Sequence, residues 1–186
     1  DEGLTALELS TGTPKSSDAT KQTAYLRVLN NRVSDIITAE TSDLVNVSIK
    51  LSFRINFLEA DKEKWFNVDN YIKLLCHHER SKLKNAIKKV GIQAFNSDHI
   101  TIIRDTVLGQ KINAEDRKGS YYKENGMLIY DVEVLEVSIG NKTVASLLAE
   151  AQFKAVEQTI QLEQAKKSLE LTEQHEKIKR AIQEVL

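Results

Sequence analysis

An α+β fold, a mainly antiparallel sheet covered by amphipathic helices and followed by a long C-terminal α-helix, is predicted by three features of the sequence. Residues 45–57, VNVSIKLSFRINF, alternate apolar and polar without a slip. Residues 68–109 repeat their apolar positions every three or four, and residues 141–186 contain neither glycine nor proline. Alternation sends successive side chains to opposite faces of a strand, whereas a three-to-four repeat gathers them on one stripe of a helix.

Taken in chain order, residues 4–9 (LTALEL) and 24–29 (AYLRVL) are apolar runs of strand type, separated by the turn formers of STGTPKSSDATKQ. DIITAETSD (35–43) leads into the long strand, which makes three strand candidates in the first sixty residues. In that strand Val45, Val47, Ile49, Leu51, Phe53, Ile55 and Phe57 form a dry face expected to pack on helices, and the even positions form a wet one. From Val68 a helix is predicted through Tyr71, Ile72, Leu75, Cys76, Leu83, Ala86, Ile87 and Val90, with Gly91 as its C-cap. A second is predicted with Ser97 as N-cap, Ile100, Ile103 and Val107 on one stripe, and Gly109 as stop.

A polar loop, NAEDRKGSYYKENG, then leads to a strand at 127–139. Its apolar positions are even at Tyr130, Val132 and Val134 but odd at Val137 and Ile139, so a β-bulge is expected near Leu135. The α+β domain is expected to cover residues 1–140.

Residues 141–186 are rich in Ala, Leu, Glu, Gln and Lys, strong helix formers, and an uninterrupted helix of that length reaches about 65 to 70 Å. Leu148, Ala151, Ala155, Leu162, Ala165 and Leu169 follow a seven-residue spacing on one stripe, which marks them as a self-association surface. Glu150–Lys154, Glu163–Lys167 and Glu173–Lys177 have the spacing of stabilising ion pairs. The stripe is interrupted at Gln158 and Thr172, and beyond Leu171 the apolar residues move to Ile178, Ile182 and Val185. The bland alternative is a helix packed on its own domain or fraying in water.

Composition narrows the functional classes. With 41% hydrophobic and 28% charged residues the chain is an ordinary folding sequence, and a formal net charge of -1 supplies no field to draw nucleic acid or an anionic membrane. Weak or no direct nucleic-acid binding is expected. The single cysteine, Cys76, forms no internal disulfide, which points to a reducing compartment and a cytoplasmic location. No apolar run approaches the eighteen or so residues of a membrane span. Asp1 at the start and a helical pattern still running at Leu186 are what a piece of a longer protein would show.

Catalysis finds little purchase. Cys76 sits on the apolar stripe, and adjacent helical positions point about 100° apart, so Cys76, His77 and His78 cannot converge on a substrate or metal. His99 and His175 lack a local carboxylate or thiol arrangement, and Gly109, Gly119 and Gly126 are too dispersed for a phosphate loop. No catalytic, cofactor-binding or metal residue is assigned. The basic cluster Arg80, Lys82, Lys84, Lys88 and Lys89 lies opposite the apolar stripe and reads as a solvated face rather than a lipid or RNA contact.

TALELSTGTPK, DIITAETSD, VSIKLSFRINF, HITIIRDTVLG and NGMLIYDVEVLEVSI, running into a long Ala/Glu/Gln helix, occur in an order that resembles the shoulder domain of the major vault protein family. That domain is similar in fold to the stomatin, prohibitin and flotillin core of the SPFH or band 7 superfamily. The resemblance implies a structural subunit of a self-assembling hollow ribonucleoprotein shell. Residues 1–140 would be the shoulder and 141–186 the first part of a cap helix that joins copies into a homo-oligomer, with RNA and accessory proteins as partners. The rival reading is a membrane-associated scaffold of the stomatin or flotillin type, which would bring a membrane contact for which the residues give no support.

Overall fold

The computed structural model describes residues 5–11, 18–113 and 116–185. The backbone is helical and antiparallel β, ending in the long helix that the sequence predicts, so the α+β class holds. By its contacts the chain divides into two units, Asp1–Asn141 and Lys142–Leu186.

The first unit is organised around the alternating strand, β4 (Asn46–Phe57). It lies inside a four-stranded antiparallel sheet between β3 (Asn31–Glu40) and β6 (Met127–Ile139), with the short β5 (Ser120–Tyr122) on the far side of β6. Val47, Ile49, Leu51, Phe53, Ile55 and Phe57 are all buried, as the alternation requires. Ser52 is the exception on the polar face, being buried as well. Two helices cover the dry side: α1 (Tyr71–Ile87) packs against β3, α2 (Ile92–Leu108) against β6, and the two against each other. Leu75, Leu83, Ile87, Phe95, Ile103 and Val107 point down into the same core, and the Phe57 ring meets Tyr71 edge-on at 5.2 Å. At about 25 cal/mol per Å², each such large side chain contributes roughly 1.5 to 3 kcal/mol before entropy is subtracted.

Several sequence expectations are corrected. The stretch 35–43 is not a lead-in but most of a full strand, β3, which pairs with β4 from Asn31↔Ile55 to Glu40↔Asn46. Residues 24–29 form no strand; the small second sheet joins β1 (Leu7–Leu9) to β2 (Lys21–Thr23) instead. Leu4, at the start of the predicted first strand, lies outside the described residues. The polar loop contains β5, a strand of three residues that pairs with the start of β6.

The helix boundaries move for a physical reason. α1 starts after Asn70, whose side chain accepts a hydrogen bond from the Lys73 amide at 3.0 Å, and it closes at Lys88. Gly91 is not its C-cap but the residue at which α2 begins. Gly91 has no side chain with which to cap, and Asp43, from the tip of the β3–β4 hairpin, does so instead: both of its carboxylate oxygens accept from the Ile92 amide, at 3.0 and 3.1 Å. Ser97 lies inside α2 and donates to the Gln93 carbonyl at 3.0 Å rather than capping anything. The break that sequence placed at Ser97 is real in a weaker form, because Asp98 departs from helical geometry at φ -136° and ψ 25°. Gly109 ends α2 as expected, at φ 84°.

Hydrogen bonds from Thr41 and from the Ile92 amide hold the Asp43 carboxyl below its ordinary range. A lowered acid stabilises the fold above its unfolded value, and that contribution is lost as pH falls through the folded one. Asp43→Ala is therefore expected to lower Tm at neutral pH, and the gap from the parent should close on acidification below the carboxylate range. Parallel thermal melts of the two proteins over pH 2 to 7 check this, and a gap that is constant over the series would show that the capping charge plays no part.

β6 departs from even pairing twice. Lys50 pairs with Glu136 and Leu51 with Val134, so Leu135 is an extra residue, the bulge that the change of phase predicts. Arg54 pairs with Asp131 and Ile55 with Ile129, which makes Tyr130 a second one that the sequence reading did not identify. The inward positions accordingly run Met127 and Ile129, then Val132 and Val134, then Val137 and Ile139.

Candidate self-association surface

The second unit is α3 (Lys142–Val185), 44 residues long and thus about 66 Å from end to end. Its sequence explains its persistence: helix formers at nearly every position, no breaker, and a Glu150–Lys154 ion pair at 2.9 Å. Of the three predicted pairs only that one closes within 4 Å; Glu163–Lys167 and Glu173–Lys177 do not, and Glu176–Arg180 approaches to 3.8 Å instead.

The six predicted stripe residues share a face by helical geometry. Leu148 is half-buried, while Ala151, Ala155, Leu162, Ala165 and Leu169 are exposed, Leu162 at 58% and Leu169 at 62%. Apolar side chains along a helix facing water over this length are an unpartnered surface. The sequence reading left out others equally open: Phe153 at 70%, Val156 at 58%, Ile160 at 49% and Leu171 at 60%. The side chain of Val185 lies outside the described residues.

The first unit offers a different surface. The outer face of its sheet is polar and internally paired: Arg54 donates to Glu133 at 2.5 and 3.1 Å, which raises the guanidinium and holds the Glu133 carboxyl below its usual range. The basic cluster of α1 is not simply solvated. Arg80 grips the buried Asp35 through two hydrogen bonds of 2.7 Å, Lys82 reaches Glu79 at 3.2 Å and Ser120 at 2.9 Å, and Lys88 pairs with Glu40. Only Lys84 and Lys89 of the five stand exposed without such a tie. These cations hold α1 to the sheet, which leaves little charge for a phosphate surface.

The residues considered for catalysis do not come together. Cys76 is buried in the core, His77 and His78 are exposed, and the His78 ring lies 5.3 Å from that of Tyr122. His99 contacts the Asn96 carbonyl and the Phe95 ring, and His175 lies on α3. Among the described residues no group of three or more His, Cys, Asp or Glu is placed to hold a metal. The buried Glu79 carboxylate accepts from the Tyr122 hydroxyl at 2.8 Å; burial, then the charge of Glu79, pushes that phenol well above its ordinary value. The bond fastens α1 to β5. No helix among the described residues is long and apolar enough to cross a membrane.

Known proteins give this arrangement its relatives. The chain is similar to major vault protein alpha of Dictyostelium discoideum, with 28% identity over 171 residues, covering 89% of this chain and 20% of the relative. It is 27% identical to the major vault protein of Strongylocentrotus purpuratus over 171 residues, with the same coverage, and 25% identical to that of Bos taurus over 173, covering 84% and 19%. The chain thus spans about a fifth of the length of these curated relatives. Residues 29–141, more than half of the chain and the whole of the four-stranded sheet with its two helices, match the family described as the shoulder domain, and the chain belongs to that shoulder-domain family of the major vault proteins.

Proposed function

We propose that this chain is a structural part of a hollow, vault-type ribonucleoprotein shell in the cytoplasm, in which residues 1–140 shape the wall and the helix from 141 onward joins neighbouring copies side by side. The reading also takes the sheet-under-two-helices core to be related to the stomatin, prohibitin and flotillin core, and takes the role to be assembly rather than catalysis. Its main support is the run of exposed apolar residues along α3, from Leu147 to Ile182. A solvated rod gains nothing from such a surface, while a helix flanked by copies of itself buries it. One contact between two slender helices is weak, but a closed ring repeats the same contact in every subunit.

RNA and accessory proteins are assigned to other parts of the particle, because the cations of α1 are engaged within their own unit. Negative-stain microscopy of the full-length protein tests the reading. Hollow barrels are the expected result; dispersed particles or membrane-bound discs would overturn it.

A further inference from the structure

The four-stranded sheet has two edges of unequal kind. β5 is three residues long, whereas β3 runs for ten at the opposite edge, with no proline or glycine and no break in its pairing with β4. The Thr41 amide donates to the Val45 carbonyl at 3.0 Å, and the Asn46 carbonyl is taken on the β6 side by the Gly140 amide at 2.8 Å. Hydrogen-bonded pairs alternate along an antiparallel ladder, so the odd residues of β3 bond to β4 and the even ones turn their N–H and C=O groups outward. The even residues are Arg32, Ser34, Ile36, Thr38 and Glu40. Among the described residues no strand pairs with that side; Arg32, Ser34 and Thr38 are exposed, and Ile36 and Glu40 are half-buried. Native sheets blunt a long edge of this kind with prolines, bulges or short strands unless a partner takes it.

The groups beside the edge select the partner. Spacings of three and four set His77, Arg80, Lys84 and the C-cap Lys88 on one side of α1, and the ion pairs Arg80–Asp35 and Lys88–Glu40 place that side along β3. Asp35 is an inward-pointing charge of the kind that guards edges, but Arg80 neutralises it. Lys84, between the two pairs, and Arg32, on the strand itself, are exposed and make no ion pair among the described residues. The charge of Arg32 lowers the Glu133 carboxyl, yet that carboxylate is already held by Arg54. Two cations are thus in surplus along the edge. A second copy paired β3 to β3 would lay two such rows of cations against each other. A nucleic acid has no line of alternating donors and acceptors to match the outward backbone groups.

We infer that β3 is a docking edge for an extended acidic segment of a partner protein, which joins the sheet as a fifth strand and turns its carboxylates toward Lys84 and Arg32. Main-chain hydrogen bonds supply the affinity of such strand addition, and the flanking side chains supply its selectivity. The inference is independent of the assembly reading. It adds a partner recruited by backbone groups rather than by the engaged cations of α1.

A fluorescent peptide of alternating glutamate and valine, titrated into the full-length protein, tests it. Binding is expected by anisotropy, with hydrogen exchange of residues 32–40 slowed in its presence. The same peptide with lysine for glutamate, or with alternate amides N-methylated, should bind about tenfold more weakly. Arg32→Glu with Lys84→Glu should weaken the acidic peptide about tenfold and admit the lysine peptide. Thr38→Pro removes an outward N–H while sparing the ladder to β4, so it should abolish binding and keep both the melt and the size of the particles. No binding by the parent, equal binding of the methylated peptide, or displacement of the peptide by polyuridylate overturns the inference. If Thr38→Pro fails to fold, the methylated peptide and the charge-reversed variant still decide. Loss of particles by a folded Thr38→Pro would show that another copy takes the edge, which overturns the acidic partner and leaves the assembly reading standing.

Discussion

Changing Leu148, Leu162 and Leu169 together to lysine in the full-length protein is expected to leave the shoulder unit folded and to abolish association. The folded part is spared because these side chains lie on α3, which forms a unit of its own by contacts, and two of them are more than half exposed. The assembly is not, because each leucine would bury against a neighbour at roughly 1.5 to 3 kcal/mol for full burial. Three such losses, cut by half for the imperfect conversion of area into affinity, come to about 2 to 4 kcal/mol per contact, or roughly thirty- to a thousand-fold. Three lysines in place of three leucines further add unpaired cations to a desolvating surface. Sedimentation velocity on the full-length variant checks this, and shells of normal size would defeat it.

The second large effect is inside the sheet. Phe53→Asp should unfold the first unit altogether. Phe53 is fully buried, with Val33 and Val132 as its cross-strand neighbours. The substitution removes about 1.5 to 3 kcal/mol of apolar burial and puts a carboxylate between Val33 and Val132 in the core, a penalty of several kcal/mol more. Domains are stable by only about 5 to 15 kcal/mol in total. Phe53→Leu, which keeps most of the volume, should cost about 1.5 kcal/mol or less and retain a cooperative melt. An aspartate variant with the parent's thermal transition would show that this strand is not the heart of the core.

The difference between what sequence revealed and what it hid follows from which interactions are local. β4 was legible because one strand buried on one face obeys a period of two without exception. Its neighbour β3 was not, since its inward side carries Asp35 among Val33, Ile37 and Ala39, and that carboxylate is gripped by Arg80, 45 residues away. The start of α2 was misplaced for the same reason. Ser97 has the chemistry of a cap, but Asp43 supplies the actual cap from another element, and no local pattern records a hydrogen bond across 49 residues. The Leu135 bulge showed itself as a change of face between apolar neighbours, whereas the one at Tyr130 was masked because an aromatic residue passed for a core position. On α3 the seven-residue spacing showed that the six stripe residues share a face. The equally exposed Phe153, Ile160 and Leu171 were missed because their spacing mixes seven and eleven, which a search for one heptad does not follow.

The paired insertions in β6 carry a rule for how this sheet can change. Which way a strand residue faces depends only on whether its count from the start is odd or even, and each insertion switches that parity. Tyr130 and Leu135 together restore it, so Val137 and Ile139 face inward in step with Met127 and Ile129 despite the irregularity between them. Losing one would turn everything downstream inside out; losing both would shorten the strand and keep its sidedness. A change of length at this place keeps the strand's sidedness when it comes in twos and reverses it when it comes in ones.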